Sequence, residues 1–140
     1  MTVSVFLFAA TLAAKGNSRF PAAPGQWEFT TTFAMGGLPV APPPRIVERC
    51  VDGAPDPPAL LAEIGAPADD CRIDGWTAEG RTVRWSGECA GRYRGSGAGR
   101  LAFDGDRGEG EFTIQVEDGR GAKHPVRYRI QARRDGACPP

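Results

Sequence analysis

Few side chains in this chain carry reactive or ligating chemistry. They are four cysteines (Cys50, Cys71, Cys89 and Cys138), one histidine (His124) and two close aspartate pairs, Asp69-Asp70 and Asp104/Asp106. The cysteines lack CxxC spacing, and a single histidine cannot complete a zinc-type cluster with them. Their chemistry is therefore oxidation to two disulfides, which fits a chain that opens on an export-type apolar run. Of the three pairings, Cys50–Cys71 with Cys89–Cys138 ranks first: one bond closes a local Pro-rich excursion and the other pins the C-terminus. Cys71–Cys89 with Cys50–Cys138 is the alternative, because a hairpin places Cys71 beside Cys89. His124, in GAKHPV ahead of the last strand, has Asp118 near it in sequence but no serine in its loop, so it reads as a solvated turn residue. Neither aspartate pair follows a calcium-loop spacing. No catalytic, cofactor-binding or metal-ligating residue is assigned, and of the readings considered an enzyme fits least.

Composition sets the frame for those residues. One hundred and forty residues suit one domain, and Gly 19 with Pro 13 favours turns over long helices. Lys+Arg 17 against Asp+Glu 17 leaves no net charge. Such a chain has no general attraction for nucleic acid or an anionic membrane. Met1–Ala14 is apolar, too short to span a bilayer, and carries small residues at Thr11/Ala13 or Ala14/Gly16 that suit a signal peptidase. It reads as a signal peptide with an atypical or truncated n-region, since the first basic residue is Lys15. Residues 15–25 read as a linker and 26–140 as a single β domain. The expected location is the periplasm of a bacterium, with no membrane span once the leader is removed.

The domain is organised around Cys71–Cys89. This stretch folds as a hairpin over Glu79-Gly80-Arg81, pairing Cys71 with Cys89, Ile73 with Gly87, Gly75 with Trp85 and Thr77 with Val83. Arg72–Glu88 and Trp76–Arg84 fall on the other face, the latter as a cation–π pair. Strands are expected near 26–33, 45–51, 72–78, 82–89, 98–103, 107–117 and 126–133. In the first, Trp27, Phe29, Thr31 and Phe33 share one face. Leu38–Pro44 is an extended Pro-rich loop. Asp56–Gly65 is the one helix, with Asp56 as cap, prolines in the first turn, and Leu60, Leu61 and Ile64 on one face. It is too short to persist undocked. Ala90–Gly99 reads as a flexible connection, because its glycines lack the spacing of a phosphate-binding loop. Asp104-Gly105 suits a tight turn. On the last two strands, matching inward faces gives Val116–Val126, Ile114–Tyr128 and Phe112–Ile130. Glu109, Glu111 and Glu117 then lie outside against Arg127, Arg129 and Arg133.

The expected fold is mainly β: one antiparallel curved sheet or half-closed barrel, a meander of about seven strands with one short helix and two disulfides. The buried face should contain Trp27, Phe29, Ile73, Trp85, Leu101, Phe103, Phe112, Ile114, Val116, Tyr128 and Ile130.

In these landmarks the chain resembles the bacterial family known as domain of unknown function 3617. They are PGQWE at Pro24–Glu28, Cys50 ending a strand, a short helix, Cys71, VRWSGEC ending at Cys89, GSGAG at Gly95–Gly99, FDGD at Phe103–Asp106 and GAC ending at Cys138. One departure is Arg107-Gly108, where the pattern leads one to expect an aromatic residue. The resemblance implies an exported protein with this cysteine framework and supplies no activity, because the family has no established one.

The functional expectation follows from the aromatic face. Trp27, Phe29, Trp85, Phe112 and Tyr128 form either a plain core beneath the helix or an apolar pocket for a small molecule or lipid-like ligand. The competing reading is a structural or interaction module of the cell envelope that contacts a protein through Leu38–Pro44 or the Arg127/Arg129/Arg133 stripe. Ligand, partner and oligomeric state are left open by the sequence.

Overall fold

The computed structural model describes residues 20–34, 43–52, 57–65, 71–90, 94–117 and 119–140. The leader, part of the Pro-rich loop, the Asp56 cap, Asp69-Asp70 and Asp118 lie outside them.

The chain forms β1 (Gly25–Phe33), β2 (Arg45–Val51), α1 (Pro57–Gly65), β3 (Cys71–Glu79), β4 (Thr82–Ala90), β5 (Arg94–Asp104), β6 (Arg107–Glu117) and β7 (Lys123–Arg134). The strands make one seven-stranded antiparallel sheet in the order β2-β1-β7-β6-β5-β4-β3. It curls into a half-barrel. From β3 to β7 each strand pairs with the next in sequence, and β1 then closes onto β7. β2 and β3 are the two edges, and α1 links them in sequence. The helix packs chiefly on β3 and reaches β1 and β7, so it crosses the concave side.

Alternation in the sequence explains which face is concave. Trp27, Phe29 and Thr31 in β1, Phe112 and Ile114 in β6, and Val126, Tyr128, Ile130 and Ala132 in β7 all point into the core. Leu60, Leu61 and Ile64 of α1 meet them from the other side, as do Phe20 and Ala22 ahead of β1. Of the expected core, Ile73 and Val116 are only partly buried.

Several registers differ from expectation, each for a definable reason. The 71–89 hairpin pairs Cys71 with Cys89, Arg72 with Glu88 and Ile73 with Gly87 as anticipated, but the register then shifts between Ile73 and Gly75. Beyond this bulge Gly75 faces Ser86, Trp76 faces Trp85 and Thr77 faces Arg84, so the Trp76–Arg84 pair does not form. The bulged Asp74 accepts a 2.7 Å hydrogen bond from Ser86 Oγ. One extra residue changes the parity, so Trp76 as well as Ile73 packs against the core. The turn is accordingly two residues, Gly80-Arg81, between the paired Glu79 and Thr82.

The β6–β7 pairing is slid by two residues: Phe112 faces Tyr128, Ile114 faces Val126 and Glu111 faces Arg129. A two-residue slip preserves every facing, so matching inward faces alone could not detect it. Pairing runs on to Glu117↔Lys123, which places His124 within β7, exposed and opposite Val116, and not in a turn. The tight turn after Phe103 uses Gly105-Asp106, with Gly105 at φ +59°.

The glycine-rich stretch is also a correction. Gly95–Gly99 is part of β5, not a flexible connection. A methyl at Gly99 would overlap the Trp85 ring, one at Gly97 the Phe112 ring, and one at Gly95 the Gln115 carbonyl oxygen. The glycines thus seat large rings on a strongly curled sheet, where a side chain would hold the rings off. Gly108 does the same for Phe103, since a methyl there would stand 3.0 Å from that ring. Phe103 occupies the space that a side chain at Gly108 would need, while Arg107 opposite Asp104 is exposed. Gly99→Ala should therefore destabilise the domain by about 1–3 kcal/mol through overpacking. Thermal melts of the variant and the parent check this, and an unchanged midpoint would show that Trp85 has room to move.

The cysteines pair as Cys50–Cys138 and Cys71–Cys89, overturning the first-ranked Cys50–Cys71 with Cys89–Cys138. Topology gives the reason. Cys50 lies on one edge strand and Cys71 on the other. Beyond β7 the tail runs beside the start of β1, where Gln26 N donates to Gly136 O (2.9 Å) and Asp135 N donates to Gln26 O (2.7 Å). Gln26 is also the partner of Cys50 in β2, so Cys138 arrives next to Cys50.

Candidate functional site

The five residues expected to line a pocket, Trp27, Phe29, Trp85, Phe112 and Tyr128, all lie on the concave side and are all buried. Their rings fall into two runs. Trp85 stacks on Phe112 (centroids 6.2 Å apart, planes 7° apart), and Phe112 on Tyr128 (6.5 Å), which meets Phe33 edge-on. Phe29 stacks on Trp27, which meets Phe103 edge-on, and Phe103 in turn meets Phe20. Offset-stacked and edge-to-face geometries are those that aromatic pairs prefer.

The cover over this surface is one helix of nine residues together with Phe20 and Ala22 ahead of β1. Docking of the helix relies on Leu60, Leu61 and Ile64, and on two polar contacts. Thr31, the one buried polar side chain among the described residues, donates from Oγ1 to the Ile64 carbonyl at 2.7 Å. That carbonyl lies in the last turn, where helical carbonyls lack an internal partner. Arg49 Nε meets Glu63 Oε2 at 2.8 Å in a half-exposed ion pair. Each end of the segment carrying α1 is staked by a disulfide, at Cys50 before it and at Cys71 after it.

One atom in this cluster is anomalous. Trp85 is 3% exposed, yet its Nε1 has no hydrogen-bond partner. Trp27, equally enclosed, donates from Nε1 to the Ala23 carbonyl at 2.7 Å. A buried donor left unpaired costs about 1–3 kcal/mol. Sequence could place Trp85 on the inner face, but an unpaired donor exists only once the fold is known.

The outer face is polar. Its depressions include one of about 210 Å³ bordered by Glu28, Thr30, Arg107, Glu109, Gln131 and Arg133. Arg133 meets both Glu28 (3.7 Å) and Asp135 (3.1 Å), and Arg100 meets Glu111 (3.7 Å). Exposed pairs of this kind each contribute at most about 1 kcal/mol. Asp104 and Asp106, considered for calcium, instead face Arg81 (3.4 Å) and Arg134 (3.7 Å). Glu28, Glu48 and Asp135 bring carboxylates together, and Arg133 pairs with two of the three. No helix among the described residues is long and apolar enough to cross a membrane.

Fold and site together define a small, doubly disulfide-bonded β half-barrel whose aromatic concave face lies beneath a single short helix. Residues 22–138, most of the chain, match the family described as Protein of unknown function (DUF3617), and the chain belongs to that family. No curated protein and no solved structure matches it.

Proposed function

We propose that this is an exported, periplasmic binding domain of a bacterial envelope, non-catalytic, whose ligand is an apolar small molecule or lipid-like chain held between the curled sheet and α1. The observation that carries this reading is the cover. The buried aromatic face is covered by Phe20 and Ala22 ahead of β1 and by a nine-residue helix, a length that is not stable by itself. In this reading α1 lifts to admit the ligand to the concave face, and the two disulfides keep the ends of its segment in place while it moves. Disulfides belong to an oxidising compartment, which supports export. N-phenyl-1-naphthylamine, an uncharged apolar fluorophore, should bind saturably with one site per chain and be displaced by an apolar competitor. A folded protein that shows no saturable enhancement would refute the reading.

One observation favours the alternative of an envelope-protein contact. Ile46, 60% exposed, is the exposed large hydrophobic residue of the described chain, and it sits on edge strand β2. In that case Ile46→Lys would abolish a partner's binding and leave the fluorophore's unchanged.

A further inference from the structure

The reading of an apolar ligand leaves its polar end unspecified, and the unpaired donor of Trp85 specifies it. Within the stacked run Trp85–Phe112–Tyr128, Trp85 Nε1 is the buried side-chain donor that the fold leaves without an acceptor. The ring itself is fixed by Phe112 on one side and by the absence of a side chain at Gly99. The N–H is thus enclosed among apolar side chains, the surroundings in which binding sites place the few polar groups that orient a ligand. A hydrogen-bond acceptor brought in by a ligand would satisfy it; a hydrocarbon would leave it unpaired.

The surroundings restrict that acceptor further. No charged side chain is buried among the described residues, and the buried hydroxyl of Thr31 is already committed to Ile64. A carboxylate placed here would lose its hydration with no cation and only neutral donors in return, a strongly unfavourable exchange. A neutral carbonyl requires no such compensation. We infer that Trp85 Nε1–H is the specificity-determining donor of the site, and that the ligand is a neutral acyl chain carrying a carbonyl, an ester or an amide, not a free fatty-acid anion or a plain hydrocarbon. The inference rests on the proposed binding of an apolar ligand beneath α1.

The test uses the full disulfide-bonded chain, labelled with ¹⁵N at the tryptophan indoles. Methyl dodecanoate, tridecane and dodecanoate are delivered in turn from cyclodextrin to the parent and to Trp85→Phe. Methyl dodecanoate should move the Trp85 indole proton downfield and slow its exchange with solvent. It should also bind more tightly than dodecanoate. Trp85→Phe should weaken the ester by about five- to tenfold more than it weakens tridecane, the range for one hydrogen bond. Saturable binding of ester and alkane with an unmoved Trp85 indole signal and equal losses in Trp85→Phe would overturn the anchor while leaving the apolar site standing. Tighter binding of dodecanoate would overturn the choice of a neutral carbonyl. Binding of none of the three would remove the site and the anchor together. Should Trp85→Phe fail to fold, the indole shift in the parent decides alone.

Discussion

Phe112→Ala should lower the unfolding free energy by about 3–5 kcal/mol, the range for removing a fully buried phenylalanine. The upper part of that range is expected because the surroundings cannot close the hole. Phe112 is fully buried, stacked between Trp85 and Tyr128, and its ring lies over Gly97, which has no side chain to fill the vacated space. Trp85 would lose its stacking partner, so tryptophan fluorescence should report the change in the folded baseline as well as in the transition. Urea unfolding gives the magnitude. Gln115→Ala, exposed on the same strand, is the control and should stay within about 0.5 kcal/mol. A loss for Phe112→Ala below about 1 kcal/mol would mean that the concave face is loosely filled already, and such a result would argue for a standing pocket without any movement of α1.

The architecture was readable because strand alternation survives in single sequences. Trp27-Phe29-Thr31 and Phe112-Ile114 each advertise a buried face by their spacing, and Pro57-Pro58 ahead of Leu60-Leu61 marks a helix start. Even Thr31 carried a signal, as a polar residue on an aromatic face, although its partner, the Ile64 carbonyl, lies in a helix 33 positions away. What escaped was whatever period two cannot encode. The extra residue at Asp74 reverses the facing of Trp76, and nothing local distinguishes it from regular pairing. The β6–β7 slip of two residues preserves facing and is equally silent. Gly95–Gly99 was obscured for a different reason. Low strand propensity of glycine argues for a loop, and the compensating rings of Trp85 and Phe112 come from neighbouring strands. The hairpin register already set Cys71 beside Cys89, but ranking that disulfide pairing first required the strand order, which separates Cys50 from Cys71 and carries Cys138 back to β1.

The second large effect belongs to that returning tail. Replacing both Cys50 and Cys138 by serine should destabilise the domain by roughly 4–5 kcal/mol in the chain-entropy account, given a bond that spans 88 residues. Cys50 is exposed and Cys138 partly so, so little packing is lost and the change acts mainly by freeing the unfolded chain. Small domains have about 5–15 kcal/mol in total, hence the variant should be marginal at 37 °C despite an intact core. The double replacement is the cleaner test, because a single one leaves a thiol able to attack Cys71–Cys89. Cys138→Ser alone should nonetheless lose as much as the double variant, since either change breaks the same bond. Non-reducing peptide mapping should first recover Cys50 joined to Cys138 and Cys71 joined to Cys89. Urea unfolding then measures the loss, and a value below about 1 kcal/mol would show that closing this loop is not what stabilises the half-barrel. The stability of edge strand β2 would then come from its pairing with β1 and the Arg49–Glu63 contact to α1, and the bond would serve only as a tether ahead of the helix-bearing segment.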